Sequence, residues 1–260
     1  MSLHFIGTNH ADPRGPQRLE KALEYDPPEV VTVEIDQQLL QVWDSLALTH
    51  QDLLKEICSL NKEHNMGLQL MIDRMAAQLY EVTQSLEFGK RHNLPILGVS
   101  FDHDLHYQPL DQQAAYLLSP DHIFLETQKE YLQRLARRRV DLCYFNFLLM
   151  ERSPNQFRNL NLDPEMIEKD YAAFHSYFTN ASTFRGVTEE QASDMLLTPE
   201  DIAHDLIAAT LIEGLLQPDL KVVHVGGLSH CLRDAKERTL FSQLQKYSPT
   251  RETLKWYEDK

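Results

Sequence analysis

Four short apolar runs, each bounded by turn residues, limit what this 260-residue chain can fold into more than any other feature. Leu3 to Ile6 is closed by Gly7, and Val30 to Ile35 is entered through Asp26-Pro27-Pro28. Ile96 to Val99 follows Asn93-Leu94-Pro95, and Val222 to Val225 runs from Gln217-Pro218-Asp219 to Gly226-Gly227. Runs of this length, rich in β-branched side chains, are the signature of buried strands. Between the first two, Gln17 to Tyr25 carries Leu19, Ala22 and Leu23 at helical spacing. Strand, helix and strand within about 35 residues make a βαβ unit, because parallel strands need a crossover. The expected fold is therefore α/β: a single domain over residues 1–260, with a central mostly parallel sheet carrying helical insertions. Its site is expected at the carboxyl edge of the strands, where ligands of open parallel sheets gather.

The rest of the pattern is helical. Leu39, Val42, Trp43 and Leu46 recur at i, i+3, i+4 and i+7, and Leu68 to Phe88 carries a stripe of Met71, Met75, Leu79, Val82 and Leu86. Such a Met-rich stripe is ordinary core material. Residues 110–200 form a largely helical insertion that includes Phe124 to Glu151. Pro199 to Leu216 follows, with Thr198 placed as N-cap before a proline at the first helical position. The run Arg134, Arg137, Arg138 and Arg139 has the character of a solvated helix face.

Composition removes several classes of function. The net charge of −14 disfavours sequence-independent binding to phosphate backbones, whose affinity comes from Lys and Arg displacing counterions. Nucleic acid is not an expected partner. The start, Met-Ser-Leu-His-Phe-Ile-Gly, lacks the basic and apolar regions of a signal peptide, and no window reaches 18 apolar residues. A cytoplasmic protein with no membrane partner is expected. Cys58, Cys143 and Cys231 are odd in number and far apart, so they suit reduced thiols rather than a disulfide framework or a zinc knuckle.

Chemistry concentrates where the strands end. The first run leads into Gly7-Thr8-Asn9-His10 and the last into Gly227-Leu228-Ser229-His230, so each strand is followed by a glycine and then a histidine three residues on. Glycine permits a sharp exit and close backbone approach, and neutral imidazole binds a borderline metal or moves a proton near pH 7. Glu34 interrupts the second apolar run. A buried carboxylate costs several kcal/mol unless paired, so Glu34 requires a cation, a metal or a histidine beside it. Glu87 near a helix end, and Asp102 and His103 after the third strand, belong to the same expected edge. The other histidines, among them His4, His204 and His224, are expected to be structural or solvated. The chain contains no His-Glu-x-x-His, Gly-x-Ser-x-Gly, phosphate loop or Gly-x-Gly-x-x-Gly.

The paired Gly-x-x-His segments, with Val30-Val31-Thr32-Val33-Glu34-Ile35-Asp36 after a proline-containing turn, resemble the Tiki/TraB superfamily. That superfamily includes the TraB and PrgY pheromone-shutdown proteins, the Tiki metalloproteases, and the more distant ChaN haem-binding and erythromycin-esterase branches. The resemblance covers residues 3–36 and 221–231 and extends to 87–104. It implies a catalytic or metal centre at His10, Glu34 and His230, with Glu87 as a further carboxylate. Relatives carry arginine in the turn where this chain has His103; Arg185 is the candidate replacement, and Asp102, His103 and Arg185 the candidate substrate contacts. The implied activity is metal-dependent hydrolysis of an amide (peptide) or ester bond in a peptide or small-molecule substrate, with manganese, cobalt or zinc. The alternative is a ChaN-like protein that holds haem or a small acid without turnover.

Overall fold

The computed structural model describes residues 1–10, 12–37, 40, 80–100, 164–179 and 183–259. Along the chain these form β1 (Ser2–Thr8), α1 (Gly15–Tyr25), β2 (Val30–Asp36), α2 (Tyr80–His92) and β3 (Ile96–Ser100). Then come α3 (Pro164–Phe178), the short strands β4 (Thr183–Phe184) and β5 (Val187–Thr188), α4 (Glu189–Leu196) and α5 (Pro199–Leu215). The chain closes with β6 (Lys221–Gly227), a 3₁₀ turn at Leu228–Cys231, α6 (Leu240–Gln243), β7 (Thr250–Thr253) and a final 3₁₀ segment, Leu254–Asp259. The four expected strands are all present, each a residue or more longer than its apolar run.

The five main strands lie in the order β3-β2-β6-β1-β7, and every pairing is parallel. The fold is α/β. The βαβ unit of β1, α1 and β2 exists, but its two strands are not neighbours, because β6 lies between them and pairs with both. Phe5, Val31, Val33, Val222 and Val225 are fully buried or nearly so, each of such side chains contributing roughly 1.5–3 kcal/mol of transfer free energy. The α1 residues Leu19, Ala22 and Leu23 are buried as their spacing requires. Helix α5 starts as anticipated: Thr198 Oγ1 accepts from the Asp201 N–H, the Asp201 carboxylate accepts from the Thr198 N–H, and Pro199 follows.

The chain divides into two compact units, one made of Met1–Leu40, Ala77–Phe101 and Asn161–Lys260, the other of Gln41–Ala76 and Asp102–Leu160. All described residues belong to the first. The boundary of the anticipated insertion therefore moves, since residues 161–200 stand with the sheet. The cause is visible in α3, where Tyr171 donates to Asp12 Oδ2 at 3.0 Å and receives the Asn9 N–H at 3.1 Å, tying the helix to the loop after β1. The helical spacings over 39–79 and 124–151, the arginine run at 134–139, Cys58, Cys143, Asp102 and His103 lie outside the described residues.

Candidate active site

Because β6 sits between β1 and β2, its carboxyl end falls between theirs. Gly227 pairs with Thr8, and Val225 pairs with Val33 of β2, one residue before Glu34. Thr32 and Glu34 share one face of β2, since side chains alternate along a strand. On the same reasoning His224 and Gly226 share a face of β6, and His224 is the register partner of Thr32. Gly226 has no side chain, and the Glu34 carboxylate occupies that space. A Cβ on Gly226 would meet Glu34 Oε1 at 2.3 Å and His224 Nε2 at 2.6 Å.

His10 and His230 meet over the next glycine. A Cβ on Gly227 would fall 3.0 Å from His10 Nε2 and 3.2 Å from His230 Cδ2. His230, in the 3₁₀ turn after β6, has Nδ1 2.6 Å from Asp205 Oδ1 of α5 and Nε2 3.9 Å from Glu34 Oε1. His10, half-exposed in the loop after β1, has Nδ1 2.7 Å from Glu81 Oε1 of α2. Glu81 Oε1 also contacts the Thr8 hydroxyl, which lies 2.9 Å from the Gly226 carbonyl. Glu34 Oε2 accepts the Gly227 N–H at 2.9 Å. The third ring, His224, has Nδ1 3.0 Å from Thr32 Oγ1 and Nε2 3.7 Å from Glu34 Oε1. Each of the three rings is thus anchored through Nδ1, by Asp205, Glu81 or Thr32. Glu34 Oε1 and His224 Nε2 are buried without a hydrogen-bond partner.

The charges reinforce one another. The His10 imidazolium, next to the Glu81 carboxylate, is raised to about 9 against the opposing effect of desolvation. Burial works against a charge on His230, but Glu34 and Asp205 outweigh it and raise the ring to about 10. Burial likewise opposes ionisation of Glu34, yet His230, His224 and His204 together hold it well below the usual carboxylate range.

The structure brings His10, Glu34 and His230 together. Glu87 lies on α2, but the carboxylate that meets His10 is Glu81, six residues earlier. At about 100° per residue, that separation points the two in different directions around the helix. Arg185 is exposed in the turn between β4 and β5, and its guanidinium sits over the Phe184 ring, 5.3 Å from the centroid, rather than against the three site residues. Two residues expected to be structural, His204 and His224, stand at the site instead. His4 does play a structural part, bonded to Thr250 Oγ1 and the Tyr257 hydroxyl.

Glu81, Asp205 and His224 were not singled out by motif. A common signal exists, a polar residue inside an apolar stretch: Asp205 between Ile202 and Ile212, and His224 between Val223 and Val225. Glu81, between Tyr80 and Val82, is the same case. It is the signal that marks Glu34, but without a preceding glycine turn to distinguish site from core.

Among the described residues, His204, Asp205 and His230 offer ligand atoms within 4.8 Å of one another, all on buried residues. Two donors each about 2.1 Å from one ion stand roughly 3.0 Å apart at a right angle and about 4.2 Å apart in line. The 2.6 Å from Asp205 Oδ1 to His230 Nδ1 is too short for that, and fits a carboxylate orienting the ring. The 3.7 and 3.9 Å from Glu34 Oε1 to the Nε2 atoms of His224 and His230 fall inside the range.

Comparison of the chain with protein families, curated proteins and solved structures finds no match in any of the three. No helix among the described residues is long and apolar enough to cross a membrane.

Proposed function

We propose that this chain hydrolyses an amide or ester bond using a divalent first-row ion, manganese, cobalt or zinc, held by Glu34 and His230. The observation that carries the reading is Glu34 Oε1, a buried carboxylate oxygen without a hydrogen-bond partner that faces His230 Nε2 at 3.9 Å. An unpaired oxygen in that position costs free energy unless a cation satisfies it, and imidazole with carboxylate is a donor set for borderline metals. Such an ion would polarise the scissile carbonyl and lower the pKa of bound water.

The chain's own residues supply the remaining roles. Asp205 fixes the orientation of the His230 ring from behind, leaving Nε2 toward Glu34. Gly226 and Gly227 keep the floor of the site clear. His10 was expected as a further ligand, and its half-exposed position over Gly227 suits it better to carrying the proton. Its Nε2 is on the site side, while Glu81 at Nδ1 keeps the ring charged to about 9, so it can protonate a leaving amine or alkoxide.

One observation favours the alternative of a holder of small acids. Two imidazolium rings flank Gly227, and a carboxylate ligand would find both charges there. Metal content of the purified protein, followed by turnover of a peptide and ester panel after metal stripping and readdition, separates the two. Restored turnover with one of the three ions is expected; binding of acids without ion uptake or turnover would overturn the hydrolase reading.

A further inference from the structure

We propose that His224, which belongs to neither Gly-x-x-His segment, is a metal ligand, its Nε2 completing a three-donor set with Glu34 Oε1 and His230 Nε2. The proposal rests on the metal reading above and adds a residue to it. His224 is fully buried in the middle strand of the sheet. A buried histidine kept only for packing would have both ring nitrogens satisfied or turned to hydrocarbon. Here Nδ1 is 3.0 Å from the Thr32 hydroxyl, while Nε2 is aimed at an ionised carboxylate and stops at 3.7 Å, too far for a hydrogen bond. Both facing atoms, His224 Nε2 and Glu34 Oε1, are left without a hydrogen-bond partner. One cation between them removes two unsatisfied buried groups at once. Thr32 then does for His224 what Asp205 does for His230, setting the ring from its outer nitrogen. Gly226 is part of the same arrangement, because any side chain there would occupy the space between the two atoms.

The test is cobalt(II) binding to the metal-stripped protein, followed by calorimetry and by visible absorption, which reports the ligand field whether or not the enzyme turns over. The variants are His224→Gln and Thr32→Val, with melting temperature measured for each. The expected result is cobalt binding by the wild type, a loss of affinity in His224→Gln exceeding the roughly 10–100-fold that removal of an outer partner costs, and a changed spectrum. Thr32→Val is expected to lose about 10–100-fold with the spectrum largely kept. Wild-type binding with unchanged affinity and spectrum in His224→Gln would overturn the role of His224 and leave the Glu34 and His230 reading standing. Absence of cobalt binding by the wild type would overturn both. Should His224→Gln fail to fold, Thr32→Val decides, and unchanged affinity there overturns the proposal.

Discussion

His10 Nδ1 stands 2.7 Å from Glu81 Oε1, a pairing between a loop and a helix 71 residues apart in sequence. Glu81 raises the His10 ring to about 9, so the proton that His10 would give to a leaving group is present throughout the neutral range. Removing the charge with Glu81→Gln returns the ring toward the reference value of about 6.5. The alkaline limb of kcat should therefore move down from about pH 9 toward neutrality. Near pH 5.5 the variant should approach wild-type rates, while at pH 8 it should lose roughly 30-fold, as follows from a limb about 1.5 units below the assay pH. A uniform fall at every pH, with the limb unmoved, would make Glu81 a purely structural partner.

The two glycines at the end of β6 should differ in their sensitivity. Gly226→Ala places a methyl group 2.3 Å from Glu34 Oε1 and 2.6 Å from His224 Nε2, so the carboxylate has to move. Gly227→Ala places one 3.0 Å from His10 Nε2, the end of a half-exposed side chain that has room to give way. Overpacking of this kind costs about 1–3 kcal/mol. The expectation is that Gly226→Ala abolishes metal binding while Gly227→Ala retains it with lowered kcat. Metal affinity and melting temperature of both variants check this, and equal metal affinities would contradict it.

Much of the fold was legible because buried strands announce themselves locally. Each apolar run between turn residues became a strand of the parallel sheet, and Thr198 with Pro199 began a helix. The position of β6 was not legible. Nothing in Val222 to Val225 says whether it pairs outside β1 or enters between β1 and β2, since strand order is fixed by packing over long sequence separations. That single fact is what sets His230 beside Glu34. The same limit explains the mistaken choice of Glu87 over Glu81: both are carboxylates on one helix, and only the direction in which α2 packs decides which meets His10. For His224, a histidine within a valine run reads as core until the register shows Thr32 on one side and Glu34 above.

Glu34→Gln separates a metal-binding carboxylate from a structural one. The amide is nearly isosteric, and its oxygen still accepts the Gly227 N–H now bonded to Oε2 at 2.9 Å. His230 keeps Asp205 as a counter-charge. Loss of ion uptake and a fall in turnover of at least about 1,000-fold are expected, with an unfolding free energy within roughly 1 kcal/mol of wild type. Were Glu34 present only to neutralise buried histidines, the substitution would instead cost about 3–5 kcal/mol of stability. Chemical denaturation and metal titration on the same preparation distinguish the two.

Proton release on metal uptake follows from the surroundings of His230. Without an ion, Glu34 and Asp205 outweigh burial and keep its ring protonated up to about 10. Imidazole binds a metal only when neutral, so uptake at neutral pH has to expel that proton. Below about 10 the apparent affinity should then rise about tenfold per pH unit for each proton displaced. A small carboxylic acid held by the two charged rings would show no such rise, because both rings stay protonated across the neutral range. Cobalt titrations at about pH 6.5 and about pH 7.5, each in two buffers of different ionisation enthalpy, give the affinity ratio and count the protons. A ratio near ten with about one proton released is the expected outcome; equal affinities with none released would remove His230 from the ligands and leave the acid-binding alternative in its place.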